Sequence, residues 1–143
     1  LRLSLRNVFN QQQQMREYYA KNFFAETHEL TTNKRESDFM RKFIAILDEN
    51  LDKPQMDVNK IASELSMSRS KLYNKIKSIT GNSIIEFIKS YRLRKAANLI
   101  IDTNLSMREI MIMIGIESQS YFSRSFKKEF GETPTSFGAK HKN

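Results

Sequence analysis

The sequence predicts an all-α domain, on three observations. Gly and Pro are scarce, four and two in 143 residues, and they fall at junctions. Apolar residues recur at three- and four-residue steps, and no stretch sustains the alternation and β-branched enrichment of a strand. Most segments carry the start or stop signal of a helix. Hydrophobic residues make up 39% of the chain and charged residues 28%, which is enough for a core and too apolar for a wholly disordered chain.

The elements follow in order. Leu1–Phe24 places Leu1, Leu5, Val8, Met15 and Tyr19 at helical steps, interrupted by Gln12. It reads as a coiled-coil seam with one polar position or as a helix packing on a neighbouring domain. Gln11 to Gln14 reads as solvated helix surface, and His28 to Arg35 as a polar linker. A helix is predicted over Glu36–Asp52, with Phe39, Phe43, Ile46 and Leu47 on one face, stopping before Pro54. Asp57–Leu65 comes next, then a tight Ser66-Met67-Ser68 connection, then Arg69–Thr80. Gly81 ends that helix, because glycine takes the left-handed C-cap conformation at little cost. Ser83 and Glu86 have the spacing of a capping box and open a longer helix reaching about Asp102, with Ile84, Phe87, Ile88, Tyr91, Ala96 and Leu99 facing inward. Ser106 and Glu109 repeat the box ahead of Met107–Ile114. After Gly115 a helix over Ser118–Phe130 is stopped by Gly131. Thr133 then caps a last short helix with Pro134 at its first position.

Composition excludes several chemistries. The chain has no Cys, which removes disulfides, thiolate metal sites and cysteine nucleophiles, and is compatible with a reducing compartment. Its two histidines, His28 and His141, stand far apart in polar, terminal contexts, so histidine-based metal or acid–base chemistry is poorly supported. The Met-rich Met107–Met113 stretch has helical period and no His or Cys beside it, which makes it core packing and not a metal site. Ser/His/Asp sets and paired carboxylates at a credible spacing are absent, so no catalytic residue, cofactor or metal is expected in this chain. Any kinase activity of a longer parent would lie elsewhere. No apolar run approaches the roughly 18 residues of a membrane span. The chain begins at Leu1 without a Met or a signal-peptide pattern, and is expected to be a piece of something longer.

The charge is concentrated. The formal charge is +8, from 24 Lys+Arg against 16 Asp+Glu. Between Ser66 and Lys95 stand Arg69, Lys71, Lys75, Lys77, Lys89, Arg92, Arg94 and Lys95, opposed only by Glu86. A polyanion partner is one reading, since clustered Lys/Arg gains from releasing counterions condensed on phosphates. A solvated basic face that keeps the protein soluble is the other.

Two segments copy one another at an offset of 50. Ser68-Arg-Ser-Lys-Leu-Tyr-Asn-Lys-Ile-Lys-Ser-Ile-Thr-Gly81 aligns with Ser118-Gln-Ser-Tyr-Phe-Ser-Arg-Ser-Phe-Lys-Lys-Glu-Phe-Gly131. Ser68/Ser118, Ser70/Ser120, Lys77/Lys127 and Gly81/Gly131 are identical, and Leu72/Phe122 and Ile76/Phe126 keep the apolar face. Each copy follows a short apolar helix and a tight turn, which is the helix-turn-helix plan. The second turn has one extra residue, Gly115-Ile116-Glu117 against Ser66-Met67. A connecting helix of about 20 residues spans roughly 30 Å. One turn of B-DNA is about 34–36 Å, so two such units fit successive major grooves on one face of a duplex.

Residues 36–138 resemble the AraC/XylS-type transcription-regulator DNA-binding domain. The resemblance rests chiefly on Ile110-Met-Ile-Met-Ile-Gly-Ile-Glu-Ser-Gln-Ser-Tyr-Phe-Ser-Arg-Ser-Phe-Lys-Lys-Glu-Phe-Gly-Glu-Thr-Pro134, and also on Tyr91-Arg-Leu-Arg-Lys-Ala-Ala-Asn-Leu-Ile100. It implies a seven-helix fold with two helix-turn-helix units joined by a linker helix. The chain departs from the family pattern at Met111, where Ala is usual, at Ile116, where Phe is usual, and at Gly138, near a position often basic. The first two would sit on the core side and alter packing in the second unit. Leu1–Arg35 lies outside the resemblance and looks like the connector between a receiver domain and such an output module. The expected organisation is thus a helical connector over 1–35 and the DNA-binding domain over 36–143. Within that domain the first unit covers about 57–80, the linker helix 83–102 and the second unit 107–130.

Candidate DNA-binding residues follow. In the second recognition helix Gln119, Ser120, Ser123 and Arg124 occupy the first turns; Arg pairs bidentately with guanine and Gln with adenine. Tyr121 either meets a thymine methyl or supports the helix from the side, while Phe122 and Phe126 are core. Lys127 and Lys128 are expected at phosphates, which position without reading sequence. In the first unit the resemblance favours Ser70, Tyr73 and Asn74 as base readers, with Arg69, Lys71 and Lys77 nearer phosphates. Arg92, Arg94 and Lys95 either pair with acids of the chain or touch DNA. The expected function is sequence-specific regulation of transcription on double-stranded DNA, as the output domain of a two-component system. The place is the cytoplasm, free or as the cytoplasmic part of a membrane-anchored sensor. The expected partners are an upstream sensory or receiver domain and a second copy through the N-terminal helix, with no small-molecule ligand in this chain. A helical interaction scaffold with nonspecific nucleic-acid affinity is the alternative.

Overall fold

The computed structural model describes residues 34–142. The expected seam over Leu1–Phe24 and most of the connector lie outside the described residues. Seven helices and no strand occur among the described residues, in agreement with the all-α expectation. They are α1 (Lys34–Glu49), α2 (Val58–Glu64), α3 (Arg69–Thr80), α4 (Ile84–Asp102), α5 (Met107–Ile114), α6 (Gln119–Phe130) and α7 (Pro134–His141).

The helix limits are set by local chemistry. Asp57 proves to be the cap of α2 and not its first residue, its carboxylate accepting from Asn59 N at 3.0 Å and Lys60 N at 3.2 Å. Ser68, Ser83, Ser106, Ser118 and Thr133 cap α3 to α7 in the same way. At Ser106 the box closes in both directions with Glu109; at Ser83 the structure holds the forward bond, from Glu86 N to Ser83 Oγ at 3.2 Å. The first helix starts at Lys34 and stops at Glu49, three residues short of the expected Asp52. There Asn50 N turns back to the Leu47 carbonyl at 3.1 Å, and the Asn50 amide side chain donates to the Ile46 carbonyl at 2.8 Å. That tightened turn drives Leu51 into the core at 8% exposure.

Both helix-turn-helix corners close with one motif. Met67 N donates to the Ala62 carbonyl and Ser66 N to that of Ser63; Ile116 N donates to Met111 and Gly115 N to Ile112. These are paired Schellman bonds around a left-handed residue, Ser66 at φ 57° and Gly115 at φ 75°. Met111 and Ile116, the two departures from the family pattern expected on the core side, are joined by that backbone bond and are both buried in the second core. Within that one core the first position carries a larger residue than the family pattern and the second a smaller one.

Two hydrophobic cores divide the domain, and α4 serves both. The first gathers α1, α2, α3 and the first half of α4, with Phe43 between Phe39 and Phe87 at ring separations of 6.3 and 5.6 Å. The second gathers the rest of α4 with α5, α6 and α7, centred on Phe126 against Phe122, Phe130 and Phe137. Glu132 fastens α7, accepting from Lys140 Nζ and facing His141 Nε2, each at 2.9 Å. Burial would raise the Glu132 carboxyl, but those bonds outweigh it and hold its pKa below the usual carboxylate value.

Candidate nucleic-acid interface

The site is built on the two repeated helices, and their apolar faces decide what is left for a partner. α3 buries Leu72, Ile76 and Ile79, and α6 buries Phe122, Ser125 and Phe126. The helical period then turns the expected contact residues outward. Arg69, Ser70, Lys71, Asn74 and Lys77 of α3 and Gln119, Ser120, Tyr121, Arg124, Lys127 and Lys128 of α6 are exposed, while Tyr73 and Ser123 are half-buried.

Several of these side chains are held by their own helix. Arg69 Nη2 donates to the Tyr73 hydroxyl at 3.2 Å, with its guanidinium 5.3 Å from the Tyr73 ring centre. Lys77 Nζ donates to the Gly81 carbonyl at 3.0 Å, at the negative end of α3. Arg124 Nε donates back to the Ser120 carbonyl at 3.3 Å, and the hydroxyls of Ser118 and Ser120 lie 3.2 Å apart. Each is a short-range tether on an exposed side chain, of a kind that exchanges readily for a phosphate or base edge.

The basic cluster does not act as one surface. Lys75 lies over the Phe39 ring at 4.5 Å, so part of its charge is spent on the first core's edge. Lys95 reaches Asp48 at 3.4 Å, and Arg94 Nε stands 3.8 Å from Glu129, which also accepts from Ser90 Oγ at 2.7 Å. For these two the expected pairing with acids holds. Arg92 fits neither expectation: it is 7% exposed and donates to backbone carbonyls, not to an acid or outward to a partner. Burial lowers its pKa, with Tyr121 opposing. The neighbouring Tyr91 is raised by burial first and then by its hydrogen bond to Asp48 at 2.5 Å. Lys89, absent from the expected contacts, is exposed and lies 5.5 Å from the Tyr121 ring centre. Only tertiary contact marks it, since its partner is far along the chain.

A helix-turn-helix domain family model matches residues 61–140, more than half of the chain. The chain belongs to the AraC-type helix-turn-helix family of DNA-binding transcriptional regulators. It is 30% identical over 136 residues to Histidine kinase P4 of Formosa agariphila, covering 95% of this chain and 10% of that protein. It is 38% identical over 80 residues to the Msm operon regulatory protein of Streptococcus mutans, covering 56% of this chain and 29% of that protein. The chain therefore spans less than a third of these relatives. Among solved structures it resembles the C-terminal domain of AraT, a response regulator from Geobacillus stearothermophilus. The TM-score is 0.65 at 28% identity, covering 73% of this chain and 87% of that one. A domain of this family is a DNA-binding, non-enzymatic module. Among the described residues no helix is long and apolar enough to cross a membrane.

Proposed function

We propose that this chain is the DNA-reading output segment of a longer two-component protein. It would act in the cytoplasm as a sequence-specific transcription regulator, entering successive major grooves of a duplex with α3 and α6. The observation that carries this reading is the pair of capped recognition helices, each with its apolar face in a separate core and its polar face exposed. The 19 residues of α4 give a spacer of about 28 Å, close to one turn of B-DNA. The two-component setting is supported by the similarity to Histidine kinase P4, which at 95% of the chain extends beyond the helix-turn-helix part into the N-terminal stretch. A sensory or receiver part would precede the connector over 1–35, and a homodimer through the 1–24 stretch would place two such domains on paired sites.

Within this reading Gln119, Ser120, Ser123 and Arg124 read bases, with Ser70, Tyr73 and Asn74 doing so in the first unit. Arg69, Lys71, Lys77, Lys127 and Lys128 neutralise phosphates, and Tyr121 supports α6 from the side against Lys89. Selection from a random duplex library should yield a bipartite consensus. Affinity for it should fall log-linearly with salt, at a slope of about −0.9 per phosphate neutralised. A scaffold would show no consensus and no binding to lose.

The two helices should do unequal work. α3 is the more basic, and α6 presents the residue types that make bidentate contacts to base edges. Arg124→Ala should cost about 1–3 kcal/mol on the selected site and relax preference at one or two base pairs. Lys77→Ala should weaken selected and random duplexes alike and lower the salt slope by about one unit. Titrations of both variants on both duplexes decide this. A uniform loss in Arg124→Ala with altered base preference in Lys77→Ala would make α3 the reader and α6 the clamp.

A further inference from the structure

α4 changes core at one residue. Ile84, Phe87, Ile88 and Tyr91 belong to the first core, and Leu93, Ala96, Ala97 and Ile100 to the second. Between them stands Arg92, buried, with a guanidinium that can only donate. Nη1 donates to the carbonyls of Leu51 and Ile114, each at 2.5 Å, and Nη2 donates to the carbonyl of Lys53 at 2.8 Å. Leu51 and Lys53 form the turn after α1, a helix whose side chains share the first core with α2 and α3 and which therefore goes with the first unit. Ile114 is the last residue of α5, the opening helix of the second.

The other side-chain bonds of α4 described above each reach one unit only. Tyr91 and Lys95 reach Asp48 in the first, and Ser90 and Arg94 reach Glu129 in the second. The helices of the two units pack chiefly on α4 or within their own unit. Beside Arg92 a cleft of about 460 Å³ separates them, with Pro54, Met56 and Val58 on one wall and Ile116, Glu117 and Tyr121 on the other. Gly115 completes the junction, since a Cβ there would overlap the Arg92 guanidinium and the Leu51 carbonyl.

We infer that Arg92 sets the angle and separation of the two helix-turn-helix units, and so the spacing between half-sites that the domain accepts on DNA. It is a positioning residue that touches no base. The inference rests on the reading of α3 and α6 as recognition helices. Two units at a fixed separation bind a matched duplex with a high effective concentration, and a loosened junction spreads that advantage over several spacings. A lysine cannot reproduce the planar fork that serves three carbonyls from two sides.

The test uses the whole 143-residue chain, wild type, Arg92→Lys and Arg92→Met, on the selected bipartite duplex and on versions with one or two base pairs added or removed between half-sites. In Arg92→Lys the affinity for the best spacing should fall about tenfold and that for neighbouring spacings by less than about threefold, with each isolated half-site bound as before. A profile that keeps its shape while every duplex weakens equally would show a purely structural residue and overturn the inference, as would no change at all. Spin labels at Ser78 on α3 and Ile112 on α5, both exposed and outside the proposed contacts, supply a second measurement that needs no Arg92 variant. The free wild type should give one narrow distance, unchanged on the duplex, and a broad distribution that narrows only on DNA would also overturn the inference. If the wild type selects no bipartite duplex, the reading of α3 and α6 has failed. The label distances then still decide whether the junction is fixed.

Discussion

Gly115→Ala is expected to be the most damaging single-methyl change in this domain. Placing an L-residue in the left-handed conformation costs about 1–2 kcal/mol, and forcing the methyl into a filled space adds about 1–3, for a total of about 2–5 kcal/mol. Gly115 has φ 75°, and its added carbon would meet the Arg92 guanidinium and the carbonyls of Leu51 and Lys53, which are backbone atoms with little freedom to give way. Gly81 and Gly131 supply the controls. Their φ values are 76° and 83°, but a Cβ at either meets nothing within 4 Å. Their Ala variants should lose only the conformational part, about 1–2 kcal/mol. Urea denaturation of the three variants measures the difference; equal losses would show that crowding at the Arg92 junction contributes nothing.

Phe126→Ala should cost about 3–5 kcal/mol by opening a cavity in the second core. Phe126 is fully buried and its ring lies within 6 Å of three others, Phe130 at 4.5 Å, Phe137 at 5.3 Å and Phe122 at 5.8 Å. A loss of that size is a large part of the roughly 5–15 kcal/mol that stabilises an ordinary domain. The first core holds none of these rings, so α1, α2 and α3 should keep their structure. The expected signature is an earlier first step in thermal melting and a DNA footprint shortened to the half covered by α3. A full-length footprint from Phe126→Ala would mean that the second unit holds α6 in place without this ring.

Much of the fold was legible in the sequence because helix limits are local affairs. Ser83, Ser106 and Thr133 cap as expected, since a hydroxyl needs only the amide three residues on. Ser68 and Ser118 do the same, although the expected helix begins on Ser118 itself. Gly81, Gly115 and Gly131 stop their helices because left-handed φ favours glycine wherever it occurs. The misplaced end of α1 has an equally local cause, but a weaker one. Asn50 competes for the Ile46 carbonyl, and no sequence pattern reports which bond wins. The repeat at an offset of 50 was sufficient to outline both recognition faces, because the residues that bury α3 and α6 also determine which ones remain outside.

What the sequence by itself determined, then, is the order of the helices and most of their limits, the two repeated units and the polar faces they present. The tertiary structure alone decided the fates of the basic residues between 66 and 95. Arg69, Lys71, Lys77 and Lys89 stay exposed, Lys75 lies on the Phe39 ring, and Arg94 and Lys95 face Glu129 and Asp48. Arg92 is taken inside, to carbonyls 22, 39 and 41 residues away. The physical reason is range. A cap or a helical stripe is satisfied within one turn, whereas a guanidinium with five donors is satisfied by whichever carbonyls the packing of two cores brings around it, and one-dimensional spacing carries no record of that.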